Sequence, residues 1–563
     1  MLLLAGAAVQ VAYLLFPFVL ECDAAMYYSY GRYLLGLDGG VFTHHRPPGY
    51  PLYLILTGQY AFDSFIGPVL GQALMGVLLP ILLYRTLEPF HQRIALATAL
   101  VYIATTFPFL QAKVMNADQL FSFLLVAMVY AWSRFYLTRC SRHLFAFFLV
   151  GACALLTRNE AAISVVTLGA VAALIAWKAG AVKPLVAAAA CLLVIVAGWS
   201  VVRSRFVGDA RLIGSLTNAS GYQLLYRAYM YLPMYVLDWK VALGLRDAAR
   251  GPDLVDLSLN DTRAEGIVAG EALMSPANGP ASQQLHQTLA GLAGGHPETF
   301  RGLRGPLSQV TPGDPALAAV DYYQTIFGRF DGRPAEFADN FFRQPTSFVF
   351  DYAFGQLPGR IGIAETDELF RQVAIEGLAR EPVAGLVLAR DVGTFFGLDV
   401  RSAFGDGAHV GPYRSAVWNM GEPPHYVYTA FNSGGCPERA LTPALWSQYE
   451  WDADATAAAG LAPVFVLGNY LRNILRLVAG LLALGVWWRL FRSPHRLFFL
   501  PLAAIALATM FIVALGVGAG AHTKYEHSVF PLMLLATAGG VMTLAGRRRG
   551  AGTPRCMATG SAA

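Results

Sequence analysis

The chain has 563 residues, of which 56% are hydrophobic and only 14% are charged. Because soluble proteins carry about a quarter charged residues, this composition excludes an ordinary soluble enzyme and indicates a protein that crosses a membrane several times. The net charge of +5 is small for this length, and no basic run interleaved with aromatic residues suggests a nucleic-acid partner. We therefore expect contacts with membrane lipids and none with nucleic acid.

Ten apolar runs are long enough, or nearly so, to cross a bilayer as helices. The first run lacks the basic start and the small-residue cleavage site of a secretory signal, so we expect an uncleaved first helix. The predicted fold is an all-α multi-span membrane protein. Its predicted spans cover residues 1–20, 66–86, 93–110, 119–137, 144–157, 161–177, 184–202, 466–488, 497–518 and 526–545.

Lys and Arg are divided unequally between alternate loops of this pattern. When the short loops and the C-terminal tail are counted and the long segment 203–462 is left out, one set holds fourteen of them and the opposite set holds five. The positive-inside rule places the richer set in the cytoplasm, so the N-terminus starts inside. The segments predicted to lie outside are 21–65, 111–118, 157–160, 519–526 and the long segment 203–462.

These boundaries predict four parts of the chain. Spans one to seven form an N-terminal membrane module, an extracytoplasmic insertion follows, spans eight to ten form a second membrane part, and a basic tail faces the cytoplasm. The corresponding ranges are 1–202, 203–462, 463–546 and 547–563.

Three stretches outside the spans have recognisable local character. Residues 52–65 are apolar but interrupted by Gly and polar residues, which favours a helix lying along the interface. Residues 250–345 are rich in Gly, Pro, Ala, Asp and Arg, and they predict loops or a mobile cover. Within 364–399 apolar residues recur at helical spacing, and Pro382 predicts a division into two helices.

The first outer segment gathers the residue types of a reaction centre at the membrane surface. Asp23, close to a helix end and to Tyr27, is the leading candidate to accept a proton from a hydroxyl. Glu21 is the rival base. Asp23 serves equally well as the N-cap of a helix from Ala24 to Leu35, and the sequence leaves that interpretation open.

Arg46 follows His44 and His45 and precedes a stiff Pro-Pro-Gly turn. A planar guanidinium held this way suits a phosphate group. Contact with lipid headgroups is the alternative interpretation.

Four residues in the next two short outer loops are further candidates. Asp118 opens the fourth span after Lys113, and capping of that span is its alternative role. Arg158 and Glu160 lie between two helices with almost no loop, so pairing with each other is the simpler interpretation of both.

Two more pairs lie near the end of the chain. Arg472 and Arg476 stand one helical turn apart at the outer end of the eighth span. Snorkelling to headgroups is favoured for them over holding a lipid phosphate. Lys524 and Tyr525 close the last outer loop and are expected to face the same cavity as the other candidate residues.

The order of these features resembles the GT-C superfamily of integral-membrane glycosyltransferases, the group around protein O-mannosyltransferases and the aminoarabinose transferase of lipid A. Two departures are Glu-Cys-Asp in place of the Asp-Glu pair of the mannosyltransferases, and Lys524 in place of Arg. The elements that carry the resemblance are Asp23-Ala-Ala-Met-Tyr27, Gly36, Arg46-Pro-Pro-Gly-Tyr-Pro, Asn116-Ala-Asp118 and Leu156-Thr-Arg158-Asn-Glu160.

The resemblance implies transfer of one sugar from a polyprenyl-phosphate-sugar donor to a hydroxyl of a glycan, lipid or protein. The reaction would take place at the periplasmic face of a bacterial inner membrane. Asp23 is then the base of an inverting displacement, and Asp118 orients the sugar or the acceptor. The donor phosphate would be held by Arg46, His45, Lys113, Arg158, Arg472 and Arg476, and the substrates oriented by Glu21, Tyr27, Glu160, Lys524 and Tyr525.

No cofactor is required for this chemistry, although a divalent metal such as Mg²⁺ or Mn²⁺ held by Asp23, Asp118 and His44 is left open. Two other classes of function compete with the enzyme. A lipid or lipid-linked-sugar transporter would show charges at the midplane of the membrane and paired repeats. A non-catalytic envelope-assembly protein would not need an acid and a cation together at the interface.

Overall fold

The structure is a computed structural model. It describes residues 1–15, 22–40, 46–178, 182–207, 275–293, 360–398, 462–516 and 522–545, with a few isolated positions between 221 and 243, at 357 and between 442 and 448.

Among these residues every regular element is helical. The helices of the N-terminal part are α1 (Leu2–Leu14), α2 (Cys22–Leu34), α3 (Gly49–Leu56), α4 (Gln59–Phe62), α5 (Ile66–Leu87), α6 (Gln92–Ala104), α7 (Phe107–Leu110), α8 (Asp118–Thr138), α9 (Ser141–Leu155), α10 (Ala161–Lys178) and α11 (Val182–Val207). The later helices are α12 (Pro280–Ala293), α13 (Ile363–Arg380), α14 (Val383–Phe395), α15 (Ala462–Val486), α16 (Arg496–Gly516) and α17 (His522–Ala545). Short 3₁₀ turns lie at Gln111–Lys113, Pro276–Asn278 and Trp487–Arg492.

A helix lies in each of the ten predicted spans, and the predicted all-α class is confirmed. Seven stretches in helices α5, α8, α10, α11, α15, α16 and α17 are long and apolar enough to cross a membrane. The remaining three helices, α1, α6 and α9, are apolar but shorter, at 13, 13 and 15 residues. The predicted number of about ten spans is therefore not confirmed.

The third predicted span, 93–110, is wrong as a single helix. Helix α6 ends at Ala104, and Thr106 adopts the left-handed conformation with φ of 59° before α7 begins. A threonine in this conformation is strained, so an apolar pattern alone does not reveal the break.

The chain divides into two compact units. The first comprises residues 1–212, 392–512 and 520–563, and the second comprises residues 213–391 and 513–519. In the first unit, α8 packs against α5, α9 and α17. Trp132 of α8 stacks on Phe498 of α16 with ring centroids 4.6 Å apart, so large aromatic side chains fill this core.

The predicted interfacial helix over 52–65 forms as two short helices, α3 and α4, separated by Gly58 in the left-handed conformation. Leu56 and Phe62 are more than three-quarters exposed on these helices. The Tyr60 hydroxyl donates to the Tyr28 carbonyl at 2.9 Å and thereby joins α4 to α2. Exposed apolar residues beside polar anchors suit a helix pair that lies at a membrane surface.

The second unit confirms one prediction and corrects another. The two helices α13 and α14 meet at Pro382, as predicted. Of the two alternatives predicted over 250–345, loops or a mobile cover, loops are wrong for residues 280–293, which form helix α12. Its Leu285 and Leu289, one turn apart, are fully buried, and the Glu376 carboxylate of α13 accepts the amide hydrogens of Ala281 and Ser282 at 2.9 and 2.8 Å. A carboxylate that accepts the free amide hydrogens of the first turn stabilises the N-terminus of a helix.

Candidate active site

The Arg46 guanidinium lies over the ring of Tyr27, 5.5 Å from its centroid. Tyr27 is buried and meets the edge of Tyr50 at 5.0 Å, and Tyr50 in turn stacks on Tyr53 at 5.6 Å. A cation over an aromatic face is attracted by the ring's quadrupole. This aromatic column therefore holds the positive charge of Arg46 beside helix α2.

The Pro-Pro-Gly turn after Arg46 is fixed against the loop that follows α9. The amide of Gly49 donates to the carbonyl of Leu156 at 2.6 Å. A Cβ at position 49 would lie 2.6 Å from both that carbonyl oxygen and Thr157 Oγ1. Only glycine permits this approach, which brings Arg46 and Arg158 to the same region although they are far apart in sequence.

We expect Gly49→Ala to lower the stability of the protein by about 1–3 kcal/mol, because the new methyl group would push the turn off the Leu156 carbonyl. Thermal unfolding in detergent should show a lower midpoint. Gly198→Ala is the matched control, since a Cβ at Gly198 meets no atom within 4 Å. Equal midpoints for the two variants would contradict the close contact.

Arg158 is shared between two carboxylates. It forms an ion pair with Asp118 and donates to Glu160 through Nη2 and Nε at 3.1 and 3.3 Å. The side chains of Arg158 and Asp118 are only 11% and 2% exposed, and that of Glu160 is 23% exposed. The predicted pairing of Arg158 with Glu160 is present, and Asp118 joins it. Mostly buried charges of opposite sign stabilise one another only with such direct contacts.

Burial raises the pKa of the Glu160 carboxyl, but the Arg158 guanidinium, its hydrogen bonds and the charge of Arg46 outweigh burial, and the net pKa is lowered. Arg46 therefore lies close enough to Glu160 to act on it electrostatically. Arg46, Arg158, Asp118 and Glu160 form one group of two cations and two anions.

The lowered pKa predicts a pH-dependent stability contribution from Glu160. Because its folded-state pKa lies below its unfolded value of about 4.3, the stabilisation is complete above about pH 5 and is lost as pH falls through the folded pKa. Glu160→Gln should lower the unfolding midpoint at pH 7, and the difference from wild type should narrow towards pH 4. Glu88→Gln, which removes an exposed pair with Arg85, is the control and should change little. If the unfolding midpoints of wild type and Glu160→Gln differ by the same amount from pH 7 to pH 4, the pKa of Glu160 is not lowered in the folded protein.

Asp118 is placed by the turn that precedes α8. The Asn116 side chain accepts the amide hydrogen of Asp118 at 3.0 Å, and α8 begins at Asp118 itself. Asp118 is thus in the first turn of the helix and is not its N-cap, so the capping interpretation is wrong. Its Oδ2 is buried and has no hydrogen-bond partner among the residues that the structure describes.

Arg472 and Arg476 are 4% and 2% exposed. Snorkelling to headgroups, the favoured interpretation from sequence, is therefore wrong, because both side chains are covered by protein. Arg472 lies within electrostatic range of Tyr13 of α1. The two arginines consequently belong to the interior of the first unit.

Several predicted residues lie outside what the structure describes. Helix α2 begins at Cys22, so Asp23 lies in its first turn, one turn before Tyr27, and the predicted start at Ala24 is two residues late. Asp23 is therefore not the N-cap of this helix, and that interpretation is wrong. Lys524 and Tyr525 lie in the first turn of α17. For Asp23, Lys524 and Tyr525 only the backbone is described, and Glu21, His44 and His45 fall outside the described residues.

The candidate metal site cannot be assembled from the described part of the chain, where no group of three or more His, Cys, Asp or Glu side chains converges. Asp118 is described, but Arg158 is its direct partner. Asp23 and His44, the other proposed ligands, are not described at the side-chain level.

Sequence reasoning missed two residues that build the site, Tyr50 and Gln72. Both are fully buried, and the Tyr50 hydroxyl donates to Gln72 Oε1 at 3.0 Å. A glutamine inside an apolar span is a signal that could have identified Gln72, because a polar group in that environment needs partners.

Comparison with known proteins gives one family match. Residues 45–201 match the family model described as dolichyl-phosphate-mannose-protein mannosyltransferase. A solved structure, titled "Crystal Structure of ArnT from Cupriavidus metallidurans bound to Undecaprenyl phosphate", is similar at a TM-score of 0.34 and 12% identity, over 86% of this chain and 80% of that chain. No curated protein matches the chain in sequence.

The matched segment contains most of the site described above. Arg46, Gly49, Asp118, Arg158 and Glu160 all lie within it. Residues 45–201 therefore carry the sequence pattern of the dolichyl-phosphate-mannose-protein mannosyltransferase family, and the predicted resemblance to membrane glycosyltransferases is confirmed over that part of the chain.

Proposed function

We propose that this protein is a membrane glycosyltransferase that moves one sugar from a polyprenyl-phosphate donor to an acceptor hydroxyl. The observation that carries the proposal is the convergence of three separate elements of the matched segment. The Arg46 guanidinium lies over Tyr27 of α2, and the Asp118 turn and the Arg158 loop meet at the Arg158–Asp118 ion pair. Arg46 acts electrostatically on Glu160 of the Arg158 loop, so two cations and two carboxylates form one group. A donor lipid phosphate and a polar acceptor both need such a surface at the end of apolar helices.

In the proposed reaction the acceptor oxygen attacks the anomeric carbon of the sugar. The bond from that carbon to the phosphate oxygen breaks with inversion, and polyprenyl phosphate leaves with the bonding electrons. The acceptor proton passes to the Asp23 carboxylate and then to solvent. Support for Asp23 comes from its position one helical turn before Tyr27, whose ring carries Arg46. Glu21 is the alternative base.

Arg46 is the principal cation for the donor phosphate in this proposal. Its planar donor fork suits a phosphate, and its stacking on Tyr27 orders it in advance. Arg158 already neutralises two carboxylates, so it supports the phosphate less directly and fixes Asp118 and Glu160. Lys113, His45, Arg472 and Arg476 are assigned as supporting cations.

Asp118 and Glu160 are proposed to orient the sugar or the acceptor. Oδ1 of Asp118 pairs with Arg158, and the buried Oδ2, which has no hydrogen-bond partner among the described residues, is assigned to a substrate hydroxyl. Tyr27, Lys524 and Tyr525 are assigned to the same substrate contacts. A glycan, a lipid or a protein can supply the acceptor hydroxyl, and the chemistry requires no cofactor, although Mg²⁺ or Mn²⁺ is compatible with it.

We propose that the reaction takes place at the periplasmic face of a bacterial inner membrane. The distribution of Lys and Arg between the short loops favours the outer face, and the bacterial inner membrane is what the resemblance implies. A transporter is the less favoured function. In the seven stretches long enough to span, the described Asp, Glu, Lys and Arg residues lie within the first or last two turns. Transport sites usually place such groups near the midplane of the membrane.

The test is a screen of labelled polyprenyl-phosphate sugars against the purified protein in lipid nanodiscs. Mass spectrometry should detect free polyprenyl phosphate and a product heavier by one sugar, and a chelator in a parallel reaction tests for a metal. Donors that stay intact with every acceptor class, while the lipid still binds, would favour a transporter or an assembly protein.

A further inference from the structure

Gln72 lies inside the apolar helix α5 and is completely buried. Its Nε2 donates to three main-chain carbonyls of one turn, those of Gln111, Ala112 and Val114, at 2.9, 3.0 and 3.1 Å. Because an amide nitrogen has two hydrogens, these carbonyls share them. Its Oε1 accepts from the Tyr50 hydroxyl at 3.0 Å.

The turn held by Gln72 leads directly into one half of the site. It carries Lys113 and continues through Asn116, whose side chain holds the amide of Asp118. A buried amide that loses these bonds is costly, at about 1–3 kcal/mol for each polar group left unsatisfied. The hydrogen bonds of the Gln72 side chain therefore fix this turn to α5.

The other end of the Gln72 amide reaches the second half of the site. Tyr50 meets Tyr27 edge-on at 5.0 Å, and Tyr27 carries the Arg46 guanidinium. One side chain thus joins the aromatic column under Arg46 to the turn before Asp118. The carbonyl of Gln72 itself accepts from Gln119 Nε2 at 3.3 Å, which ties α8 to the same point.

We propose that Gln72 is a positioning residue that fixes the separation between the Arg46 half and the Lys113–Asp118 half of the active site. The inference rests on the proposed function, since its kinetic consequence requires that both halves act on one donor. It assigns a role in the reaction to a residue that touches no substrate. A displacement of about 1 Å between reacting groups can lower a rate about 100-fold.

The first test is Gln72→Met, which keeps the side-chain length and removes all four hydrogen bonds. We expect kcat to fall about 10- to 100-fold with KM for the donor changed less than about threefold, because the cations remain while their spacing is lost. Thr86→Val is the control. Thr86 is equally buried near the opposite end of α5 and loses one bond to the Leu82 carbonyl, so stability should fall without a change in kcat.

The second test is a double-mutant cycle with Tyr50→Phe. This variant loses only the bond to Gln72 and should lower kcat by a smaller factor. Since Tyr50 acts through Gln72, the double variant should be no slower than Gln72→Met alone. If the fold-losses in kcat of the two single variants multiply in the double variant, the two residues act independently and the inference is overturned.

Amide hydrogen exchange separates this inference from the proposed function. Exchange across residues 111–118 should quicken in Gln72→Met and stay at the wild-type rate in Thr86→Val, whether or not any sugar is transferred. If the wild-type protein is inactive with all donors, the proposed glycosyltransferase function is wrong. The link between Gln72 and residues 111–118 can still be tested by exchange. Unchanged exchange, or faster exchange with wild-type kcat in an active enzyme, would overturn the positioning role.

Discussion

Asp23→Asn should lower the rate of sugar transfer by about 100- to 10,000-fold, the range expected when a general base is removed. The amide keeps the size of the side chain but cannot take the acceptor proton. Binding of the donor should change little, because Asp23 is assigned to the acceptor proton and not to the phosphate. The measurement is kcat with a saturating donor, alongside the Kd for polyprenyl phosphate.

The control for this prediction is Asp38→Asn, which removes an exposed carboxylate a short distance beyond helix α2. It should leave kcat near the wild-type value. Glu21→Gln tests the rival base. If Glu21→Gln is inactive and Asp23→Asn turns over at a nearly normal rate, Glu21 is the base and our assignment of Asp23 is wrong.

Arg46→Met is expected to lower kcat/KM about 100- to 1,000-fold, as the loss of a group that stabilises developing charge commonly does. Methionine still packs on Tyr27 but supplies no charge to the leaving phosphate. Arg46→Lys should recover only part of the activity, because an ammonium lacks the planar fork of the guanidinium. Both variants should bind polyprenyl phosphate more weakly than wild type, and Arg46→Met should bind it more weakly than Arg46→Lys.

Arg32→Met provides a closely matched control. The Arg32 guanidinium lies over Tyr28 at 5.9 Å, much as Arg46 lies over Tyr27 at 5.5 Å, and it also belongs to the first outer segment. Arg32 donates to the Asp38 carbonyl at 2.7 Å, which gives it a structural role. We expect stability to fall slightly and donor binding to persist. An equal loss of donor binding in both variants would show that general surface charge, and not Arg46, attracts the lipid.

Several features of the fold were predictable because they depend on neighbours in sequence. Apolar runs of sufficient length located a helix in each predicted span, and Pro382 marked the boundary between α13 and α14. The prediction failed at Thr106, whose strained backbone has no composition signal, and at α12, where Leu285 and Leu289 are the large apolar side chains buried among the described residues. Short polar helices that bury few residues resemble loops in composition.

The all-helical class and the candidate residues near Asp23, Arg46, Asp118 and Arg158 could be predicted from the sequence, since hydrophobic length and short motifs are local properties. The tertiary structure decided which of them meet. Asp118 joined Arg158, Arg472 and Arg476 moved from the lipid surface to the interior, and Gln72 became the link between two halves of the site. Contacts of this kind join residues distant in the chain, and their energy depends on burial and geometry that no local pattern encodes.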